Sequence, residues 1–344
     1  MRERLLWERS GGLALTGRPD GRPQYGPGRP ASAVQDALDR IAARHPEARL
    51  PGVEVIGERA ALSGLVRRGP WSCGGSFRAL RTLDGWLGIN LARSGDLARV
   101  EELVGHPVVD VWQDLADWAT ITPTWVATGR VATLGLVAGP VPETLSSRPG
   151  VLTTVFGDAT RNERPLVVDL TSRWAGPLCA RILGLTGARV IKVESMTRPD
   201  RARLGPAGFF TLMHAGHEQI TLDPATELGT LVQLIRRADL VLESSRPRAL
   251  RRLGVSAEQV VQGGTSWLSI TARGRDSDTV GYGDDLAAAA GHVVRDGPDL
   301  LPVGDALAEP LAGVAAAAAA VEALATADVR LIDVSMLHVA AEAL

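Results

Sequence analysis

Cysteine is scarce: Cys73 and Cys179 are the only two in 344 residues. They stand far apart, with neither metal-ligand nor disulfide-framework spacing, which points to a reducing compartment. The six histidines also lack metal spacing; His214 and His217 lie three apart without a third ligand. Charge of either sign is not in excess. A net charge of −2 with 22% charged residues marks neither a nucleic-acid partner nor a membrane surface. Long apolar runs are missing too: the Ala-rich stretch 311–325 has fifteen residues, which is too short for a bilayer and fits a core helix. The opening MRERLLWERSGG breaks its apolar patch with charges and does not read as a signal peptide. Neither a glycine-rich dinucleotide fingerprint nor a phosphate loop occurs. These absences leave a soluble, cytoplasmic protein as the expectation, with no metal and no tightly bound cofactor.

What is present is apolar mass. A 45% hydrophobic content over this length supports a large core and two domains. Residues 17–31, dense in Gly and Pro, read as loop. A helix is expected over 32–46, with Val34, Ala37, Leu38, Ile41 and Ala42 on one face, and another from Glu58. Residues 77–92 predict a hairpin turning at Asp84-Gly85, with Trp86, Leu87, Ile89 and Leu91 on the return strand. Helices fit 94–104, capped by Ser94 with Asp96 in its first turn, and 108–119; residues 130–142 carry a short strand. The stretch 143–164 reads as linker or exposed extension. The expected organisation is a Gly/Pro-rich segment and helix over 1–50, a small α+β domain over 51–145, a linker over 146–163, and a large domain over 164–344.

From residue 164 the pattern becomes regular α/β alternation. Residues 164–194, RPLVVDLTSRWAGPLCARILGLTGARVIKVE, read as strand, tight turn, helix and strand, one βαβ crossover. Pro177 suits the first helical turn, where no backbone donor is needed, and Gly187 ends the helix. Strands are expected at 166–170, 189–193, 239–243, 266–271 and 329–333, and helices at 176–186, 225–237, 247–252, 283–294 and 310–325. This alternation predicts a Rossmann-like parallel sheet with helices on both faces. Its ligands belong at the carboxyl ends of the strands, after Leu170, Val193, Glu243 and Thr271.

The spelling of these elements is more specific than their shape. VVDLTSRWAGP, VIKVES, ADLVLESSRPRALRRLGV, WLSITARG, YGDDLAAAAG and VRLIDVSML follow one another in the order and spacing of the class III CoA-transferases. That family includes formyl-CoA transferase, carnitine CoA-transferase and α-methylacyl-CoA racemase. The resemblance covers most of residues 164–340. It also implies a departure in domain order. FRALRTLDGW at 77–86 resembles a Tyr-Arg-Thr-Ala-Asp-Gly-Trp segment that follows the family's large domain, yet here it precedes that domain. WERSGGLALTGRPDGRP at 7–23 resembles the end of a large domain. The order fits a circular permutation or the remnant of a fused pair. Family members resemble interlocked rings, so a homodimer is expected.

The resemblance implies transfer of CoA between an acyl-CoA and a carboxylic acid through a carboxylate, which forms a mixed anhydride. The family writes that residue as Ala-Asp-x-x-x-Gly; here Ala308-Glu309-Pro310-Leu311-Ala312-Gly313 puts Glu309 in its place, one methylene longer. Asp305 is the alternative nucleophile. Glu309 also fits as a plain first-turn acid that favours the helix dipole. For CoA, the resemblance implies Trp174, Ala175, Glu194, Ser195, Arg246, Arg252, Thr271, Ala272 and Arg273, at the strand ends and in the Arg-Pro and Arg-Leu-Gly motifs. Arg198, Arg201 and Arg203 can replace cations lost where His217 and Ser195 stand. Trp174 takes the slot of a polar glutamine, which implies a different acyl acceptor, and it fits equally as a core aromatic. Asp284 stands where the racemase branch has a histidine. Asp284 and Glu309 would then form the acid–base pair of an acyl-CoA isomerase, with His292 structural. A third reading is a degenerate homologue that binds acyl-CoA without catalysis.

Overall fold

The computed structural model describes residues 1–245 and 247–344. Helices α1 (Arg2–Arg9) and α2 (Pro30–Arg44) open the chain, and Pro30 occupies the first turn of α2. After α3 (Glu58–Ser63), strands β1 (Phe77–Arg81) and β2 (Trp86–Asn90) form the expected hairpin, and β3 (Val137–Pro140) adds antiparallel to β2. Between them lie α4 (Asp96–Val104), α5 (Val111–Thr120) and α6 (Thr124–Thr133). Leu80, Leu87, Ile89, Val100, Leu115 and Val131 join sheet and helices in a core of their own. Gly95, not Ser94, caps α4, because the buried Asp96 carboxylate folds back onto the Arg93 N–H at 2.9 Å. Residues 130–133 end α6 and are not part of the strand.

A seven-stranded sheet dominates the rest. Its strands are β4 (Val151–Asp158), β5 (Leu166–Asp169), β6 (Arg189–Ser195), β7 (Glu218–Leu222), β8 (Leu240–Glu243), β9 (Ser266–Thr271) and, after the small hairpin of β10 (Val293–Asp296) and β11 (Asp299–Pro302), β12 (Asp328–Ser335). The order across the sheet is β4-β12-β9-β8-β5-β6-β7, parallel throughout except for β4 on β12. Apart from β4 this is the doubly wound order, with its switch point between β5 and β8. Helices α7 (Ala175–Leu185), α8 (Phe209–His214), α9 (Leu228–Arg237), α10 (Pro247–Arg252), α11 (Ala257–Gln262), α12 (Gly283–Ala290), α13 (Ala308–Leu324) and α14 (Met336–Glu342) complete the fold.

Alternation along the strands sends side chains into two cores. Val167, Leu240, Leu242, Leu268 and Ile270 pack with α7 and α13 on one face, while Val168, Val241 and Trp267 pack with residues of α9 and α11 on the other. Leu6, Trp7, Val34, Leu38 and Ile41, from the first two helices, share the α7–α13 core. The segment before residue 57 is thus built into the large α/β layer.

Two further expectations fail, and one strand comes unannounced, for identifiable reasons. The linker over 143–164 contains β4, whose side chains are almost all exposed; backbone pairing to β12 holds it, so it shows no burial pattern. Strand β7 escapes for the same reason at the opposite edge. The helix over 283–294 stops at Ala290, because Gly291 takes a φ of 109° and turns the chain into the β10–β11 hairpin.

Candidate active site

Glu309 lies in the first turn of α13, close to the start of α7. Its Oε2 accepts the backbone N–H of Ala175, the first residue of α7, at 3.0 Å. Two helix N-termini therefore face one carboxylate, an arrangement that favours negative charge. Burial pushes the Glu309 carboxyl up from the usual carboxylate range, while the Ala175 N–H and the guanidinium groups of Arg173 and Arg59 pull it back.

The chain bends sharply to bring these helices together. Arg173 and Ala306, the two non-glycine residues with positive φ among those described, take values of 77° and 44°. Both flank the Glu309–Ala175 contact, and a buried acid holds each. Asp200 Oδ1 accepts the Arg173 N–H at 2.9 Å, and Asp284 Oδ1 accepts the Ala306 N–H at 2.8 Å. Lys192, the only lysine in the chain, supports Asp200 from below, with Nζ 3.1 Å from Oδ2. Such conformations cost about 1–3 kcal/mol each and persist only where their surroundings impose them. Glycine permits the close approach: a Cβ on Gly283 would come within 2.2 Å of the Ala306 carbonyl oxygen, and one on Gly176 within 2.2 Å of Thr171 Cβ.

Two cavities meet at Glu309. The outer cleft, about 620 Å³, opens at the carboxyl ends of the parallel strands over the switch point. Ser172 and Arg173 reach it from β5, Ser244 and Ser245 from β8, and Thr271 and Ala272 from β9; Arg198, Arg248 and Arg252 bring cations to it. The inner cavity, about 190 Å³, is walled by Trp174, Phe209 and Asp284 from the α/β layer and by Arg59, Ser76 and Asn90 from the N-terminal part. Arg173, Tyr282 and Glu309 line both, and the Arg173 guanidinium lies 4.9 Å from the centre of the Tyr282 ring.

Several residues indicated by the sequence converge here. Glu309, Ala175, Arg252, Thr271 and Ala272 line the outer cleft, together with Arg198. Trp174 lines the inner cavity rather than the cleft, packed edge-on to Phe209 and under the Arg59 guanidinium. Asp284 lines the inner cavity, and burial next to Asp305 pushes its carboxyl up to about 6.

Others are engaged elsewhere. Asp305 is fully buried and gripped by Arg59 through Nε at 2.9 Å and through Nη2, so it lines neither cavity. Glu194 is tied to Arg203 and to the Asp200 N–H, which removes both it and Arg203 from the cleft. Ser195 bonds Thr197, and Arg273 pairs with Glu143 at 2.6 Å, away from the cleft. Arg201 faces the inner cavity. His292 is structural, its Nε2 donating to the Ala340 carbonyl at 2.7 Å. Arg246 lies outside the described residues.

Sequence reasoning missed Arg59, Asn90, Arg173, Tyr282 and Arg248. Arg173 and Tyr282 stand inside quoted motifs, SRWAGP and GYGDDL, and could have been found there. Arg59 and Asn90 carry no local signal, because only the packing of the N-terminal part brings them to the cavity. Residues 59–92 of the same chain supply this wall. Cys73 and Cys179 are buried free thiols whose pKa burial drives upward, as expected of structural cysteines. No described helix is long and apolar enough to cross a membrane.

Comparison with known proteins matches residues 165–344 to a model described as CoA-transferase family III. The chain is similar to the formyl-CoA:oxalate CoA-transferase of Streptomyces avermitilis, 32% identical over 106 residues, which cover 27% of this chain and 25% of that protein. It is 29% identical over 185 residues to a succinyl-CoA–D-citramalate CoA-transferase of Chloroflexus aurantiacus, covering 48% and 46%. A solved hypothetical protein of Mycobacterium tuberculosis aligns at 26% identity and a TM-score of 0.47, covering 54% of this chain and 57% of that one. The chain spans between about a quarter and a half of these curated relatives.

Proposed function

This chain belongs to CoA-transferase family III, and from that premise we propose that it moves CoA from an acyl-CoA to a carboxylic acid through Glu309. One observation carries the reading: Glu309 lies where the cleft with the arginines meets the smaller inner cavity. In the proposed pose the CoA phosphates face Arg198, Arg248 and Arg252, the acyl chain enters the inner cavity, and the thioester carbon rests at Glu309.

A Glu309 oxygen then attacks the thioester carbonyl. The C–S bond breaks, CoA leaves as a thiolate, and the acyl group stays on Glu309 as a mixed anhydride. The thiolate attacks the Glu309 carbonyl of that anhydride, releasing the donor acid and leaving CoA on Glu309. The acceptor carboxylate attacks this second thioester, and the freed thiolate takes the acceptor acyl group, restoring Glu309. No outside proton or oxidant is needed. A carboxylate suits both halves of the cycle, as a nucleophile at neutral pH and as a leaving group from the anhydride. The Ala175 N–H and the Arg173 charge favour its ionised form and oppose part of the upward push of burial.

The open cleft at Glu309 speaks for an enzyme over a non-catalytic binder. Asp284 lines the same inner cavity, which keeps the acid–base isomerase as the second reading. Its engagement with the Ala306 N–H assigns it first to holding the bend. The test is incubation with an acyl-CoA and isotope-labelled carboxylic acids, followed by mass spectrometry. Labelled acyl-CoA and a hydroxylamine-trapped Glu309 adduct, lost in Glu309→Ala, are expected. No exchange across a broad panel would sink the proposal; α-deuterium wash-in without exchange would select the isomerase.

A further inference from the structure

The single lysine of this chain is buried: Lys192, in β6, is 1% exposed. Burying an ammonium is costly unless acceptors surround it. Strand alternation explains where it points. Val190 faces the α7–α13 core, so Lys192, two residues on, points the same way, and it stands in register with Asp169 on β5. Its Nζ lies 3.7 Å from Asp169 Oδ2 and 3.1 Å from Asp200 Oδ2, and it donates to the Thr171 carbonyl. One ammonium thus ties together the end of β5, the turn that follows it and the loop after β6.

Each partner in turn grips the turn that leads into α7. Asp169 Oδ1 accepts the Thr171 N–H at 2.8 Å and the Thr171 hydroxyl, and Asp200 Oδ1 accepts the N–H of Arg173, whose φ is 77°. The turn ends at Ala175, whose N–H meets Glu309 Oε2 at 3.0 Å. His214 stands beside both acids, but its ring nitrogens are 3.9 Å from them and burial lowers its pKa to about 4. Among the described residues Lys192 is therefore the one permanent cation paired with either acid. We propose that Lys192 is a positioning residue: its charge holds the 169–175 turn in the conformation that aims the Ala175 N–H at Glu309 and carries Arg173 to the meeting point of the two cavities. It lines neither cavity and acts through Thr171, Asp169 and Asp200. Its importance for turnover rests on the transfer reading; the aim of the Ala175 N–H does not.

The test uses a coincidence of sequence. Trp-Ala occurs twice, at Trp118-Ala119 in α5 and at Trp174-Ala175. Labelling Trp with ¹³C at the carbonyl and Ala with ¹⁵N therefore leaves two signals in a carbonyl-filtered amide NMR spectrum. Glu309→Ala removes the acceptor, moves the Ala175 signal upfield and so identifies it. Lys192→Met keeps the length of the side chain and removes its charge. It should move Ala175 upfield as well and leave Ala119 in place; Asp200→Ala, with Lys192 intact, should do the same. In label exchange from an acyl-CoA, Lys192→Met should lower kcat on the order of 10²-fold, as misplacement by about 1 Å does, with KM changed less than about threefold. An unmoved Ala175 in Lys192→Met, or a loss carried by KM alone, would overturn the inference. If Lys192→Met loses both signals, Asp200→Ala decides: a shift of Ala175 alone upholds the assignment, and an unmoved Ala175 overturns it. A shifted Ala175 with no exchange in the wild-type protein would count against transfer alone, and full exchange activity in Lys192→Met against this inference alone.

Discussion

The two cavities that meet at Glu309 are built in opposite ways. The outer cleft is a strand-end site: short loops after β5, β8 and β9 present hydroxyls and exposed arginines, each placed by its own strand. The inner cavity is a seam between distant parts of the chain, bounded by Arg59 and Asn90 against Trp174 and Asp284 and braced by the pairing of Arg59 with the buried Asp305. The cleft tolerates change because its cations are solvated and several share one task. The cavity is less tolerant, because Trp174, Asn90 and Asp284 are buried in its wall and the buried Asp305 behind it depends on Arg59.

The largest test removes the group the two cavities share. Glu309→Ala should lower transfer by about 10³-fold or more in an exchange assay while CoA binding changes little. Glu309→Asp, one methylene shorter, should cost on the order of 10²-fold through misplacement. Equal activity of Glu309→Ala and wild type would dissolve the comparison.

Next comes the seam. Arg59→Met leaves Asp305 buried and unpaired and should destabilise the protein by about 3 kcal/mol in urea denaturation. Adding Asp305→Leu should recover much of that loss. A single variant as stable as wild type would mean the pair does not brace the cavity.

A smaller effect concerns pH. The Asp284 carboxyl sits at about 6 in the fold, above its unfolded value of about 3.8. The folded protein therefore holds this proton more tightly, and Asp284's contribution to stability falls as pH rises from about 4 to 6, then levels off. Asp284→Asn keeps an oxygen for the Ala306 N–H. It should flatten this part of the profile by on the order of 2 kcal/mol between those limits, as read from urea midpoints at successive pH values.

The smallest effect lies in the cleft. Arg252→Ala should weaken CoA binding only about tenfold, since Arg198 and Arg248 line the same cleft and share the phosphates in the proposed pose. A loss as large as that from Glu309→Ala would make the cleft as intolerant as the cavity.

Much of this architecture was legible before any coordinates. The short apolar runs at 166–170 and 239–243 and the Ala-Gly-Pro turn are local signals: period, propensity and a proline at a helix start. They yield the parallel sheet and its ligand edge, while the resemblance to the family's Ala-Asp-x-x-x-Gly motif singles out Glu309. Edge strands β4 and β7 stayed hidden because backbone pairing, not side-chain burial, holds them. Asp305 and Glu194 looked available because an acid near a motif has no visible partner in one dimension. Their partners, Arg59 and Arg203, are set by packing.

The sequence by itself determined the parallel α/β layer, because contiguous residues and their local energetics write it, and its motifs carried the resemblance that marks the family and the carboxylate at the start of α13. Only the tertiary structure decided that residues 59–92 of the same chain line the inner cavity, that Arg173 and Tyr282 stand between the two cavities, and that Asp305 is occupied. These depend on contacts between residues more than a hundred positions apart, where burial and charge pairing select the partner and no local period records the choice.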